Sequence, residues 1–109
     1  MQLIYNVTLN VDPSIHDEWL SWMKTQHIPQ VLGTGKFTKA TFSEVLVEDD
    51  AGARTYSVQY KSPSRESLEA YYRDDAERLR GEGLKKFADK MLSFRTELHI
   101  VDEFTVNLN

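Results

Sequence analysis

The fold is decided by residues 3–23, which read LIYNVTLNVDPSIHDEWLSWM. Apolar and polar side chains alternate in the first part, which is typical of a strand with one buried face. Asp12 then offers a helix N-cap oxygen, and Pro13 suits the first helical position, where no N–H is needed. The apolar residues that follow have helical spacing: Ile15, Trp19, Leu20, Trp22 and Met23. The stretch therefore predicts a strand, Gln2 to Val11, followed by a helix with one buried stripe.

The end of this helix is marked by a proline. Pro29 disfavours helical geometry at Ile28, so we expect the helix to end near His27. A turn from Gln30 to Gly35 then leads into the next strand.

The remaining elements complete a βαββαβ order. The polar, glycine-containing segment Glu48 to Ala53 predicts a hairpin loop. Pro63-Ser64 begins a second helix, which Gly81 and Gly83 are expected to break or kink. A short helix with Leu84, Phe87 and Met91 is expected to follow. Three further strands are predicted: Phe37 to Glu48, Arg54 to Lys61, and Leu92 to Phe104. This order predicts an α+β, ferredoxin-like sandwich, a four-stranded antiparallel sheet with helices on one face. No linker interrupts the chain, so we expect residues 1–109 to form a single ferredoxin-like domain.

The two faces of the sheet differ in polarity. We expect the apolar alternation set to face the helices: Leu3, Tyr5, Val7, Leu9, Tyr56, Val58, Tyr60, Phe94, Leu98 and Ile100. The opposite set is polar, and it either faces water or meets a second sheet across a homodimer, closing a dimeric α/β barrel. The dimer hypothesis assigns these residues to the interface, with Arg95 and Glu97 paired: Asn6, Phe42, Leu46, Gln59, Arg95 and Glu97.

Composition excludes several classes of protein. The chain has a formal net charge of −4, which argues against nucleic-acid binding. It has no run of roughly 20 apolar residues, so no membrane partner is expected. The first residues are strand-like rather than signal-like, which favours a cytoplasmic location. There is no cysteine, and the three histidines lack metal-ligand spacing, so neither a metal nor a cofactor is expected.

His27 is the candidate catalytic residue. It either terminates the first helix, where a C-terminus favours imidazolium, or serves as a general base or hydrogen-bond donor at a pocket between helices and sheet. Aromatic side chains are candidates for the ligand-binding walls of that pocket: Tyr5, Trp19, Trp22, Tyr60 and Tyr72.

Several segments resemble a domain-of-unknown-function family of short bacterial proteins. They are Tyr5-Asn6-Val7-Thr8, Trp19-Leu20-Ser21-Trp22-Met23, His27-Ile28-Pro29, Thr34-Gly35-Lys36-Phe37, Tyr56-Ser57-Val58-Gln59-Tyr60 and Phe94-Arg95-Thr96-Glu97-Leu98. The H-x-P segment after the first helix is also similar to EthD-like members of the dimeric α/β-barrel superfamily. That resemblance implies the ferredoxin-like fold, a homodimer, and His27 near a pocket for small, often aromatic compounds.

Two functions remain open. In the first, a cytoplasmic homodimer binds or transforms a small, partly apolar molecule near His27. In the second, the chain is a non-catalytic structural or protein-interaction dimer module. A pocket of a few hundred cubic ångströms containing His27 would favour the first, because a filled interior leaves no room for a ligand. The sequence does not decide whether the protein is an enzyme.

Overall fold

The computed structural model describes residues 1–47 and 51–107. Its strands are β1 (Leu3–Val11), β2 (Lys39–Val45), β3 (Arg54–Ser62) and β4 (Met91–His99). They form one antiparallel sheet in the order β2-β3-β1-β4. The helical segments are α1 (His16–Trp22), α2 (Ile28–Gly33), α3 (Arg65–Tyr71) and α4 (Glu77–Phe87). This arrangement confirms the predicted α+β, ferredoxin-like fold.

The second and fourth strands are shorter than predicted. β2 begins after Phe37, whose ring is buried and packs against Tyr5, Tyr60 and Tyr71 instead of joining the sheet. β4 ends at His99, so residues 100–104 lie outside the strand. Glu48, Asp49 and Asp50, half of the predicted hairpin loop, fall outside the described residues.

The first helix continues past His27, so the prediction that it ends there is wrong. A π-helical turn, Met23–His27, joins α1 to α2 without a break. Its last bond runs from the Ile28 N–H to the Met23 carbonyl, an i→i+5 step. Pro29 lies in the first turn of α2, a position that tolerates a missing N–H. The change of hydrogen-bond register thus admits the proline.

The second helix is also continuous, so the expected break at Gly81 and Gly83 is wrong. A second π-helical turn, Tyr72–Ala76, joins α3 to α4, which passes through both glycines. Gly83 is buried against its neighbours: a Cβ there would lie 3.1 Å from the Met91 methyl and 3.3 Å from the Trp22 ring. This glycine allows close packing. None of the described helices is both long and apolar enough to cross a membrane.

The pairing of β1 with β4 corrects the predicted faces of the last strand. On β1 and β3 the predicted apolar set is buried under the helices. On β4, however, Arg95 lies opposite Val7 and Glu97 opposite Tyr5, so both charged residues stand on the helix-covered face. Phe94 and Leu98 stand on the other face, which we call the outer face. Arg95 and Glu97 therefore do not pair on the outer face as predicted.

Two other interface candidates also stand elsewhere than expected. Phe42 lies opposite Val58 on the helix-covered face and packs against Trp19 and Tyr56. Leu46 follows the end of β2 and is 91% exposed. Asn6 and Gln59 do lie on the outer face, directly opposite each other. Contact with a second copy remains a prediction for all of them.

Candidate functional site

A cavity of about 240 Å³ lies between the sheet and the two long helices. β1, β3 and β4 form its floor, and residues of α1, the first π turn, α2, α3 and α4 form its other walls. An engineered cavity of roughly 150 Å³ is large enough for benzene, so this one has room for a single substituted ring. Its lining is largely apolar, with Val7, Leu9, Met23 and Val31 among the residues that contribute to it.

His27 is the last residue of the first π turn and lines the cavity. Its ring stacks on Trp22, with centroids 4.7 Å apart and an interplanar angle of 23°. In a regular α-helix, side chains five residues apart point in different directions, because one turn holds 3.6 residues. A π turn has i→i+5 hydrogen bonds and holds more residues per turn. It therefore brings side chains five residues apart, here the two rings, close together. The local helix geometry therefore positions the histidine.

The environment of His27 keeps the imidazole neutral at pH 7. Burial, with a smaller effect of the positive charge on Arg95, lowers the pKa of His27 from 6.5 to about 4. This is the opposite of the imidazolium expected at a helix C-terminus, and the helix does not end here. Its Nδ1 atom is buried and has no hydrogen-bond partner among the described residues. A neutral imidazole with a free polar atom can bind a polar group of a ligand.

Two arginines meet at one tyrosine on the cavity wall. Arg80 Nη2 donates a hydrogen bond to the Tyr5 hydroxyl at 2.7 Å, and Arg95 Nε donates to the same oxygen at 3.0 Å. Tyr5 lies on β1, Arg80 on α4 and Arg95 on β4, so the cluster joins three elements. All three residues line the cavity. We call this group the Arg80–Tyr5–Arg95 cluster.

Two more tyrosines form the neighbouring wall. Tyr60 on β3 and Tyr71 on α3 are buried and line the cavity. Burial raises the pKa of Tyr60 and that of Tyr71 well above the ordinary value, so both phenols are neutral. They contribute apolar surface and no charge.

The structure brings four of the six predicted site residues to the cavity: His27, Tyr5, Trp22 and Tyr60. Trp19 does not line it. Its ring packs against Phe42 and its indole N–H lies 3.0 Å from the Met91 sulfur. Tyr72 does not line it either, although its ring meets that of Tyr5 edge-on and its hydroxyl donates to Glu97 at 2.7 Å. Whether any of these residues contacts a ligand remains a prediction.

Among the arginines and tyrosines of the cavity, sequence reasoning missed Arg80, Tyr71 and the site role of Arg95. Arg80 lies four residues after buried Ala76 and three before buried Gly83, a spacing that places it on the buried face of α4. That signal was available. Arg95 was missed because the face of β4 was assigned the wrong way round.

Solved structures with the same fold have very different sequences. A dimeric ferredoxin-like protein from an uncultured marine organism is 14% identical, with a TM-score of 0.65 over 94% of this chain and 98% of its own. An ethyl tert-butyl ether d (EthD) family protein from Bacillus halodurans is 15% identical, with a TM-score of 0.66 over 89% and 97%. HapK from Hahella chejuensis is 11% identical, with a TM-score of 0.65 over 98% and 100%. These similarities support the fold.

The family assignment rests on sequence. No curated protein matches the chain. The family described as Domain of unknown function (DUF4286) matches residues 2–101, nearly the whole chain and every strand and helix described above. This confirms the resemblance that the separate sequence segments suggested. The chain belongs to the DUF4286 family.

Proposed function

We propose that this protein binds a small, partly apolar molecule in the cavity beside His27, and that it does so as a homodimer. The observation that carries the proposal is the cavity of about 240 Å³ with the unpartnered Nδ1 of His27 on its wall. Ligand sites in proteins are typically apolar cavities with a few converging polar groups. The alternative, a non-catalytic structural or protein-interaction dimer module, does not require an internal cavity of this size.

The protonation state of His27 favours one of its two proposed roles. A general base is most effective when its pKa lies near the working pH. His27, with a pKa of about 4, is fully neutral at pH 7 but only a weak base. Its role in the cavity is therefore that of a neutral hydrogen-bond partner, which orients a polar group of the ligand.

The outer face of the sheet supports the homodimer. Phe94, Leu92 and Leu98 on β4 are 66%, 55% and 40% exposed, and the outer faces of β1 and β3 beside them are largely polar. A row of exposed apolar side chains on a sheet favours an interaction surface. Similar solved structures include proteins described as dimeric ferredoxin-like. A cytoplasmic location stays a prediction of the sequence.

The binding proposal is tested by NMR of the histidine rings. The chain has only three histidines, so the signal of His27 can be assigned by substitution. A set of one-ring compounds, neutral, anionic and cationic, is added to the purified protein. We expect some of them to shift the His27 signal while leaving those of His16 and His99 in place.

A matched pair of variants ties the signal to the cavity. Ser93→Trp fills the cavity from β4 and should abolish the shifts, whereas Lys85→Trp on the exposed side of α4 should preserve them. If no compound of any charge moves the His27 signal in the wild-type protein, the binding proposal is wrong.

A further inference from the structure

We propose that the cavity binds a carboxylate, that of a one-ring aromatic or alicyclic acid, at the Arg80–Tyr5–Arg95 cluster. This inference rests on the proposed function and names its ligand class. Two observations motivate it. At the cluster, some hydrogen-bond donors have no acceptor and two positive charges have no carboxylate partner within the described part of the chain.

The donors outnumber the acceptors at the cluster. The Tyr5 oxygen accepts from Arg80 and from Arg95, which leaves its own O–H free to donate. No described group accepts that hydrogen. The Nε–H of Arg80 is buried and also lacks a partner within the described residues. A buried donor without an acceptor is destabilising, so such a group is expected to meet one when the site is filled.

The two positive charges are also not neutralised. Within residues 1–47 and 51–107, neither Arg80 nor Arg95 forms an ion pair with a carboxylate. Two acids on the surrounding elements have other partners. Glu97 binds Arg65 at 3.0 Å and accepts from Tyr72, and Asp75 binds Lys36 at 3.0 Å and Arg78 at 3.1 Å. The cluster thus holds two guanidinium groups that share one phenol oxygen.

The shape and chemistry of the surroundings favour a carboxylate over a phosphoryl group. Guanidinium groups match the planar, two-oxygen geometry of a carboxylate. A phosphoryl group has at least three terminal oxygens to satisfy, and phosphate sites commonly supply backbone N–H groups of a helix N-terminus or a lysine. Among the described residues, no lysine lines this cavity, and the helix residues that do so lie in helix interiors. The remaining wall is apolar and suits a ring, with Trp22, Met23 and Leu9 facing the space.

The test compares benzoate with benzamide, which has the same shape and no charge. Dissociation constants are measured by titration, with the His27 ring signal as one readout and calorimetry as the other. Hydrogen bonds to a charged group contribute about 1.5–3 kcal/mol, so benzoate should bind at least about tenfold more tightly than benzamide. Benzamide binding as tightly as benzoate would overturn the carboxylate assignment.

Variants of the arginines locate the effect. Arg95→Gln removes an exposed side chain, which should leave folding intact, and Arg80→Gln tests the second guanidinium. Each should weaken benzoate binding about tenfold and leave benzamide binding within about twofold. Arg78→Gln, also on α4 but outside the cavity, is the matched control and should change neither. Unchanged benzoate affinity in Arg95→Gln would contradict the proposal, whatever the stability of Arg80→Gln.

The remaining outcomes are equally decisive. If phenyl phosphate binds more tightly than benzoate, the site is a phosphoryl site and the proposal is wrong. If neutral one-ring compounds shift the His27 signal but benzoate does not, the carboxylate proposal fails while the binding proposal stands. If no compound of any charge shifts that signal, the proposed function itself fails. The two failures are therefore distinct.

Discussion

His27 shows how one residue is controlled by its surroundings more than by its type. The same imidazole would titrate near pH 6.5 in an unfolded chain, but in the cavity its pKa is about 4. Burial is the larger cause and the Arg95 charge the smaller. The two effects act in the same direction, since each disfavours a positive charge on the imidazole.

The lowered pKa predicts a dependence of stability on pH. The folded protein binds the His27 proton less tightly than the unfolded chain, so the stability is complete above about pH 6.5 and is lost as the pH falls toward 4. The loss in the free energy of unfolding is about 3 kcal/mol. The free energy of unfolding is measured by urea unfolding across this pH range for the wild-type protein and for His27→Gln. The difference between the two isolates the contribution of His27, because all other titrating groups contribute equally to both proteins. A pH-independent difference between the two proteins would contradict it.

A second residue-scale prediction concerns the buried His16. Its Nε2 lies 2.6 Å from the Tyr56 hydroxyl and its Nδ1 lies 2.9 Å from Asp17 Oδ1, which ties the start of α1 to β3. Tyr56→Phe leaves a buried ring nitrogen without its partner and should lower the free energy of unfolding by about 1–3 kcal/mol. Thermal unfolding provides the measurement. Equal stability of variant and wild type would mean that water replaces the lost bond.

At the scale of elements, the helices combine a standard stripe with two irregular turns. The spacing of apolar residues predicted where each helix packs, because burial of one face follows the 3.6-residue period. It did not predict the π turns at Met23–His27 and Tyr72–Ala76, because the 3.6-residue period assumes a regular α-helix throughout. A proline rule that assumes a regular α-helix therefore ended the first helix too early.

The two glycines of α4 provide a matched test of packing. Nothing lies within 4 Å of a Cβ at Gly81, so Gly81→Ala should raise the free energy of unfolding by about 0.5–1 kcal/mol through helix propensity. At Gly83 the same change meets Trp22 and Met91, so the gain should be cancelled or reversed. Thermal unfolding of both variants decides this. Equal stabilisation at the two sites would show that the contacts at Gly83 relax freely.

The strands show what alternation can and cannot specify. On β1 and β3 only one face is apolar, so burial followed directly from the pattern. On β4, Phe94 and Leu98 form an apolar set as well, but they stand on the outer face. A period of two defines two faces without saying which one the helices cover. The placement of Arg95 at the cavity could not be predicted until the register with β1 was known.

At the scale of the whole molecule, the two faces of the sheet have different surroundings and different proposed functions. The helix-covered face encloses the cavity, and the outer face presents apolar side chains of β4 to the surroundings. Burying these side chains at an interface would stabilise the assembly by about 25 cal/mol for each square ångström of apolar surface removed from water. A second copy of the chain is the partner that we propose for them.

The homodimer predicts a specific effect of charge on the outer face. Phe94→Glu should shift the protein from dimer to monomer, because two such carboxylates would be buried near each other at the interface. Lys85→Glu adds a carboxylate on the helix side and should leave the dimer intact. Light scattering on the purified proteins gives the masses. A wild-type protein that is monomeric at micromolar concentration would rule out the dimer.

The π turn before Pro29 has a consequence for how this family varies. Such a turn holds one residue more than a helix of regular geometry would, so loss of a single residue between Trp22 and His27 would place the two rings four residues apart. Residues at that spacing lie on the same face of a regular α-helix, so the stack and its place at the cavity would survive the deletion. A one-residue gap at this point of a family alignment should therefore be tolerated better than a gap within a regular helical segment, where it would rotate all the residues beyond it.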